Sequence, residues 1–252
     1  GLTYGGFILS PLLNMEQIIA VLKNVLRHYH ENQTKAILIK DIPSFYGISS
    51  LEWMAYCMFI LGAEQIRADL TFVIPLPILS SSYSKGIKWG INKAKKHGLS
   101  IREVKDFKPF WEEVLVSNLW QRHQVKPVHS REEIQSLANN NQPHIRQFEV
   151  WEQESILAGT TVFETNTTAH TQYISSTPRG KELAAMDLLM DHLIQQVFPH
   201  KNYFDFGIVN ENQGKTINKG LMEWKESFGA KPYVHQFYRV DPGRFGLLDK
   251  LF

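Results

Sequence analysis

Cysteine is almost absent from this sequence, with Cys57 as the single example among 252 residues. One thiol cannot form an intramolecular disulfide, and it cannot build a metal site of several cysteines. Cys57 lies within the apolar run from Trp53 to Leu61, which indicates a small buried side chain rather than a nucleophile. No carboxylate or third histidine stands at ligand spacing beside His123 and His129, so no metal site is predicted.

The sequence also has no apolar run long enough to span a bilayer and no recognisable signal peptide. Its excess of positive charge is small, because 27 Lys and Arg stand against 25 Asp and Glu. A net charge of +2 argues against a protein that binds nucleic acid over its whole surface. Nucleophile elbows, Walker loops and dinucleotide fingerprints are missing as well. The composition is typical of a soluble globular protein, with a cytoplasmic location as the default expectation.

The last third of the chain alternates strands with helices. The predicted elements are strands at His170 to Thr177, Tyr203 to Val209 and Lys231 to Val240, and helices at Arg179 to Phe198 and Thr216 to Phe228. This alternation predicts parallel pairing and a ligand crevice at the strand ends. Two antiparallel strands, Ile145 to Trp151 and Ile156 to Glu164, are predicted to lead into it. The fold class is therefore α/β with a mixed sheet.

The first part of the chain has a similar order of elements. Predicted strands cover Tyr4 to Leu9, Ala36 to Ile39 and Ile66 to Leu76, and capping boxes at Asn14 with Gln17 and at Ser49 with Glu52 open two helices. This echo favours two related halves, and coincidence is the alternative. We expect a first half at 1–79, a helical connecting segment at 80–141 and a second half at 142–252. The chain starts without Met in strand-like sequence, so we expect the first half to be truncated at its N-terminus.

The connecting segment contains a basic amphipathic helix from Ser84 to His97. Its apolar face carries Ile87, Gly90, Ile91 and Ala94, and its opposite face carries Lys85, Lys88, Lys95 and Lys96 with Trp89 beside them. One interpretation is a solvated lysine face. The other is a docking face for an anionic partner, which the exposed Trp89 favours because aromatic rings stack on bases.

Several short motifs resemble the GNAT acyltransferase superfamily. They are Leu157-Ala158-Gly159 with Thr160 to Phe163, Tyr173-Ile174 followed by Gly180-Lys181 and Asp187-Leu188-Leu189, and Phe204 to Gly207 followed by Gly220-Leu221, Trp224-Lys225 and Phe228-Gly229-Ala230. The last group is similar to the Fem-type branch of peptidoglycan-bridge aminoacyltransferases, which has two GNAT-like halves and basic helical segments. The common GNAT donor loop is Gln/Arg-x-x-Gly-x-Gly/Ala, whereas Thr177 to Ala184 departs from it and has a single glycine.

The resemblance implies an N-acyltransferase that moves an acyl or aminoacyl group from a carrier to an amine. The carrier is either acyl-coenzyme A, as a donor substrate rather than a tightly bound cofactor, or an aminoacyl-tRNA held by Lys85, Lys88, Lys95 and Lys96. A peptidoglycan-precursor amine or a small molecule is the expected acceptor. The alternative is a non-catalytic GNAT-like domain that binds a ligand or a protein.

The candidate site residues follow from their positions in the predicted elements and, for Lys225, from the resemblance to the Fem-type pattern. Arg179, Gly180 and Lys181 open a helix, where free N–H groups and positive charge favour donor phosphates, and Tyr173 lies on the preceding strand. Asp205, or alternatively His123, is the candidate group for proton transfer. The candidate substrate contacts are His129, Asn218, Lys225 and Trp89. For Lys225 the alternative is a packed stem with an exposed amine.

Overall fold

The computed structural model describes residues 6–47 and 52–252, and for Arg122 and His123 it describes the backbone alone. The helices are α1 (Met15–Glu31), α2 (Trp53–Ile60), α3 (Lys85–Lys96), α4 (Val116–His123), α5 (Arg131–Asn140), α6 (Pro178–Glu182), α7 (Ala185–His192) and α8 (Lys219–Glu226). Wider π-helical turns at Phe110–Leu115 and Leu193–Val197 extend two of them, preceding α4 and following α7.

Ten strands are found in the described residues. They are β1 (Ile37–Lys40), β2 (Glu64–Pro75), β3 (Ser100–Val104), β4 (Ile145–Glu152), β5 (Ser155–Glu164), β6 (Thr168–Ser176), β7 (Tyr203–Ile208), β8 (Asn210–Glu211), β9 (Thr216–Ile217) and β10 (Lys231–Val240). Eight of them form one mixed sheet, and β8 pairs with β9 in a separate hairpin. The predicted α/β class with a mixed sheet is confirmed.

The chain divides into two compact units. The first takes the described residues up to Thr71, with Ile208–Asn218 and Pro232–Phe252, and the second takes Phe72–Gly207 and Lys219–Lys231. These units describe proximity in space, so the predicted segments at 1–79, 80–141 and 142–252 stay a prediction about how the sequence is organised.

The second unit contains the candidate site. Its strands β3, β4, β5 and β6 pair antiparallel in that order, and β7 then pairs parallel with β6. The π-helical turn before α4 packs on β5, where a Cβ on Gly159 would stand 2.5 Å from the Phe110 ring. Glycine at this position lets an aromatic ring lie directly on the backbone of the strand.

The first unit packs α1 and α2 on one face of its strands. Buried aliphatic and sulfur side chains form this core, among them Leu22, Leu26, Met58 and Val240, and strand β1 pairs antiparallel with β10. Helix α1 begins with a complete capping box, because Asn14 accepts from Gln17 N and the Gln17 side chain accepts from Asn14 N. The sequence prediction for this helix is confirmed.

The structure corrects four predicted elements. The segment 80–141 is not wholly helical, because β3 lies within it. Its mostly exposed edge position left no alternating pattern. Residues 6–9 are not a strand, and Tyr4 lies outside the described residues, as does Ser49 of the second capping box. The predicted helix from Arg179 breaks at Ala184, whose φ is +55°. The β8–β9 hairpin delays α8 until Lys219.

Candidate active site

The site is built where β6 and β7 stop pairing. Their parallel register joins Thr168 to Tyr203, Ala169 to Phe204 and His170 to Asp205, although β6 continues to Ser176. Gly207 ends this region with a φ of +75°, and a Cβ there would stand 3.3 Å from His170 Cε1. Backbone conformation and close approach therefore both favour glycine.

Asp205 forms the centre of a buried polar group. Its side chain is fully buried, its Oδ2 lies 2.8 Å from His170 Nδ1, and its Oδ1 accepts from Gly207 N at 2.8 Å. Both partners lie on the two paired strands, so the strand register itself holds the carboxylate in place. Asp205 was predicted from the sequence but His170 was not, because the contact between them depends on the β6–β7 register rather than on local spacing.

The Lys225 side chain extends from helix α8 and places its amine next to the same buried polar group. The residue is 2% exposed, and its Nζ donates to Gly207 O at 2.8 Å. The alternative of a packed stem with an exposed amine is therefore wrong. Burial lowers the pKa of Lys225 to about 7, and the nearby charge of Asp205 acts in the opposite direction. An amine of this kind exchanges a proton near neutral pH.

Tyr173 and His129, two further predicted site residues, lie in contact with each other. The Tyr173 hydroxyl is 2.7 Å from His129 Nδ1 and also accepts from His129 N at 3.3 Å. The ring of Trp111 packs edge-on against Tyr173. Burial raises the pKa of Tyr173.

The predicted donor loop has its cations and amides already engaged. Arg179 forms ion pairs with Glu152 and Glu182, each with an N···O distance of 3.0 Å. The N–H of Gly180 donates to Thr177 Oγ1 and that of Lys181 donates to Thr177 O. Thr177 therefore caps a helix of five residues, and the loop has fewer free donors for a phosphate than the sequence suggested.

Close packing explains the single glycine of this loop. A Cβ on Gly180 would stand 2.2 Å from Leu157 O and 2.5 Å from Ser176 Oγ. No side chain fits between α6 and the backbone of β5, so the residue type follows from packing at this position. The Lys181 side chain is exposed.

Helix α3 presents the predicted lysine face to solvent. Ile87, Gly90, Ile91 and Ala94 are buried, whereas Lys85, Lys88, Lys95 and Lys96 are exposed, as the helical periodicity predicted. Trp89 is 65% exposed, and Lys93 Nζ lies 5.2 Å from its ring centre. A large aromatic ring is thus held on a basic surface.

Asn218 and His123 complete the predicted site residues. Asn218 belongs to the first unit, where its Nδ2 donates to Glu211 Oε1 at 3.0 Å. His123 ends α4, and its side chain lies outside the described part of the structure. Within the described residues no group of three or more His, Cys, Asp or Glu side chains has the arrangement of a metal site.

Glu149 on β4 is a further buried titratable residue that was not predicted. This residue is fully buried, accepts from Trp151 Nε1 at 3.0 Å, and leaves Oε1 without a hydrogen bond in the described structure. Burial raises the pKa of Glu149 to about 7. A glutamate inside an alternating strand is ordinarily placed on the exposed face, so nothing in the local pattern indicated that Glu149 is buried.

Similar folds are found among solved structures. FemX matches with a TM-score of 0.71 and 12% identity over 97% of this chain and 81% of that chain. The L-PGS of Bacillus licheniformis matches with a TM-score of 0.60 and 13% identity over 94% and 78%. A C-terminal domain assigned to a lysylphosphatidylglycerol synthetase of Agrobacterium fabrum matches with a TM-score of 0.60 and 11% identity over 94% and 77%. At these identities the likeness concerns the fold. No curated protein sequence matches the chain.

The family model of the acetyltransferase (GNAT) domain matches residues 81–226, which is more than half of the chain. The chain therefore belongs to the GNAT family, with a Fem-like arrangement of that fold, and is an acyltransferase. Along the described residues, no helix combines the length and the apolar character that crossing a membrane requires.

Proposed function

We propose that the protein is an N-acyltransferase that passes an aminoacyl group from an aminoacyl-tRNA to an amine acceptor, with Lys225 as its proton-transfer residue. The observation that carries this proposal is the buried amine of Lys225 at Gly207 O, beside the pair formed by His170 and Asp205. Aminoacyl transfer is also consistent with the solved neighbours that concern lysylphosphatidylglycerol synthesis.

Lys225 suits the proton chemistry of amide formation. The acceptor nitrogen attacks the carbonyl carbon, a C–N bond forms, and the ester C–O bond to the carrier ribose breaks. Neutral Lys225 takes the proton that the nitrogen loses, and the resulting ammonium returns a proton to the leaving ribose oxygen, which becomes a hydroxyl. A pKa of about 7 lets the same group act in both directions at neutral pH. Asp205 stabilises the ammonium form, and His170 fixes the orientation of that carboxylate.

The choice of donor rests on two surfaces of the second unit. The lysine face of α3 with the exposed Trp89 suits a ribose-phosphate backbone with an unpaired base. The loop at Thr177 suits the pyrophosphate of coenzyme A less well, because Arg179 is paired twice and the amides of Gly180 and Lys181 are bonded to Thr177. The acceptor proposed from the Fem-type resemblance is the amine of a peptidoglycan precursor.

The donor is tested by following label into product. The protein is given radiolabelled alanyl-tRNA or radiolabelled acetyl-coenzyme A, with a short lysine-containing peptide as the acceptor. We expect labelled peptide from the tRNA donor, and lower transfer as salt rises, because ion release accompanies binding of a polyanion. Product from acetyl-coenzyme A alone would contradict the tRNA proposal and support the acyl-coenzyme A alternative.

Charge and stacking variants locate the donor surface. The double variant Lys85→Glu with Lys88→Glu should raise the KM for alanyl-tRNA, and Trp89→Ala should raise it about 10- to 100-fold if one base stacks there. Lys219→Glu is the control, because Lys219 is 81% exposed but lies on α8. Equal KM values for the α3 variants and the control would place donor binding on another surface.

A further inference from the structure

The hydrogen bond between Asp187 and Trp224 joins two helices beside the candidate site. Trp224 Nε1 donates to Asp187 Oδ1 at 2.8 Å, and the indole packs against Phe206 at 5.6 Å and Phe228 at 5.4 Å between ring centres. Trp224 directly precedes Lys225 on α8, and Phe206 lies between Asp205 and Gly207 on β7. The indole therefore lies beside both elements that supply the buried amine and its acceptor carbonyl.

Gly90 on α3 leaves room for this carboxylate. A Cβ at this buried position would stand 2.4 Å from Asp187 Oδ2 and 3.1 Å from Ala184 Cβ. Gly90 carries no positive φ, so conformation does not require a glycine there. A glycine in a helix interior is less stable than an alanine, because it loses more backbone freedom on folding. The close approach of Asp187 accounts for a residue that helix propensity disfavours.

Asp187 is withdrawn from solvent for most of its surface. The carboxyl group is mostly buried, and its desolvation raises the pKa of Asp187. A buried carboxyl group with an indole N–H as its described side-chain partner is costly unless the hydrogen bond is kept. The hydrogen bond between Asp187 and Trp224 therefore fixes the position of one helix relative to the other, whereas apolar packing alone would allow small shifts between them.

We propose that Asp187 is a positioning residue, which holds α8 through Trp224 so that the Lys225 amine stays at Gly207 O. The proposal rests on the proposed role of Lys225 in proton transfer. Helix α3 then has a second role besides its lysine face, because its Gly90 leaves the space that the Asp187 carboxylate occupies. Displacement of Asp187 then acts on the rate of transfer without touching a substrate.

Four variants separate this role from general stability. Asp187→Ala removes the acceptor, Gly90→Ala displaces it, and Trp224→Phe keeps an aromatic ring but loses the donor. Each should lower kcat about 10- to 100-fold, as small misplacements of reacting groups do. Asp187→Asn keeps an oxygen that accepts from the indole and should restore kcat towards the wild-type value. Gly86→Ala is the matched control on α3, because a Cβ there meets only Ser84 Oγ at 3.7 Å.

The pH dependence of kcat distinguishes positioning of Lys225 from a general loss of stability, because a general loss of stability would not change the pKa of the Lys225 amine. Loosening of α8 admits water to the Lys225 amine, so the acidic limb of the profile should shift upward in Asp187→Ala and Trp224→Phe. A double variant of Gly90→Ala and Asp187→Ala should lose no more than either single variant, because both act on one contact. If Gly90→Ala does not fold, Asp187→Ala and Trp224→Phe decide the question.

Failure of this inference is distinct from failure of the proposed function. If Lys225→Met abolishes transfer while Asp187→Ala and Trp224→Phe keep the wild-type kcat and pH limb, Asp187 is not a positioning residue. If Lys225→Met keeps the wild-type rate, the proposed function itself is wrong. Loss of kcat in Asp187→Asn equal to that in Asp187→Ala would also overturn the positioning role, because the hydrogen bond would then not be the cause.

Discussion

The buried Lys225 amine makes a quantitative prediction about stability and pH. Folding lowers the pKa of Lys225 from 10.5 to about 7, so between these values the unfolded chain binds a proton that the folded chain does not. Stability must therefore rise with pH across this window, by up to about 1.4 kcal/mol per pH unit. Between pH 7.5 and pH 9.0 the contribution of Lys225 amounts to about 2 kcal/mol.

The assay compares urea unfolding of the wild type and Lys225→Met at pH 7.5 and pH 9.0. Other groups titrate equally in both proteins, so the difference between their free energies of unfolding isolates Lys225. That difference should shift by about 2 kcal/mol in favour of the wild type at the higher pH. Lys219→Met is the control, because Lys219 lies on the same helix with an 81% exposed side chain. A constant difference between wild type and Lys225→Met would refute a desolvated amine at this position.

Three further predictions concern other buried or paired groups. Burial raises the pKa of Glu149 from 4.5 to about 7, so the folded state should lose stability as pH rises from 5 to 7. In urea titrations the wild type should lose about 2 kcal/mol relative to Glu149→Gln over this range, and an equal pH dependence of the two free energies of unfolding would contradict this. Gly180→Ala should destabilise by about 1–3 kcal/mol in the same assay, because its Cβ meets Leu157 O, whereas Gly246→Ala, which meets no atom within 4 Å, should not. Arg179→Gln should cost little stability in the same assay and leave the transfer rate unchanged, because its ion pairs are exposed to solvent, and a lost rate would restore the donor-phosphate role.

Local signals in the sequence predicted much of the fold. The capping box at Asn14 marked the start of α1, and the periodicity of α3 separated its buried face from its lysines. These features depend on residues within one or two helical turns. The break at Ala184 was not predictable, because alanine is the best helix former and packing in the folded protein overrides its propensity.

The candidate site was predictable only in part. Asp205 and Lys225 were proposed from their strand and from the Fem-type resemblance, and both lie in the buried polar group. The role of His170 depends on strand register, and the pairing of Arg179 depends on where Glu152 ends β4. Contacts between residues far apart in sequence decide burial and charge, and these quantities decide what a titratable group does.

The most direct test of the account is the single-turnover rate of aminoacyl transfer by Lys225→Met at pH 8, measured beside the wild type and Lys219→Met. Loss of a proton-transfer residue typically lowers the rate by about 10²–10⁴-fold. We expect a loss of that size in Lys225→Met, no rescue in Lys225→Arg, whose guanidinium stays protonated, and a wild-type rate in Lys219→Met. A folded Lys225→Met protein that transfers its aminoacyl group as fast as the wild type would contradict the account.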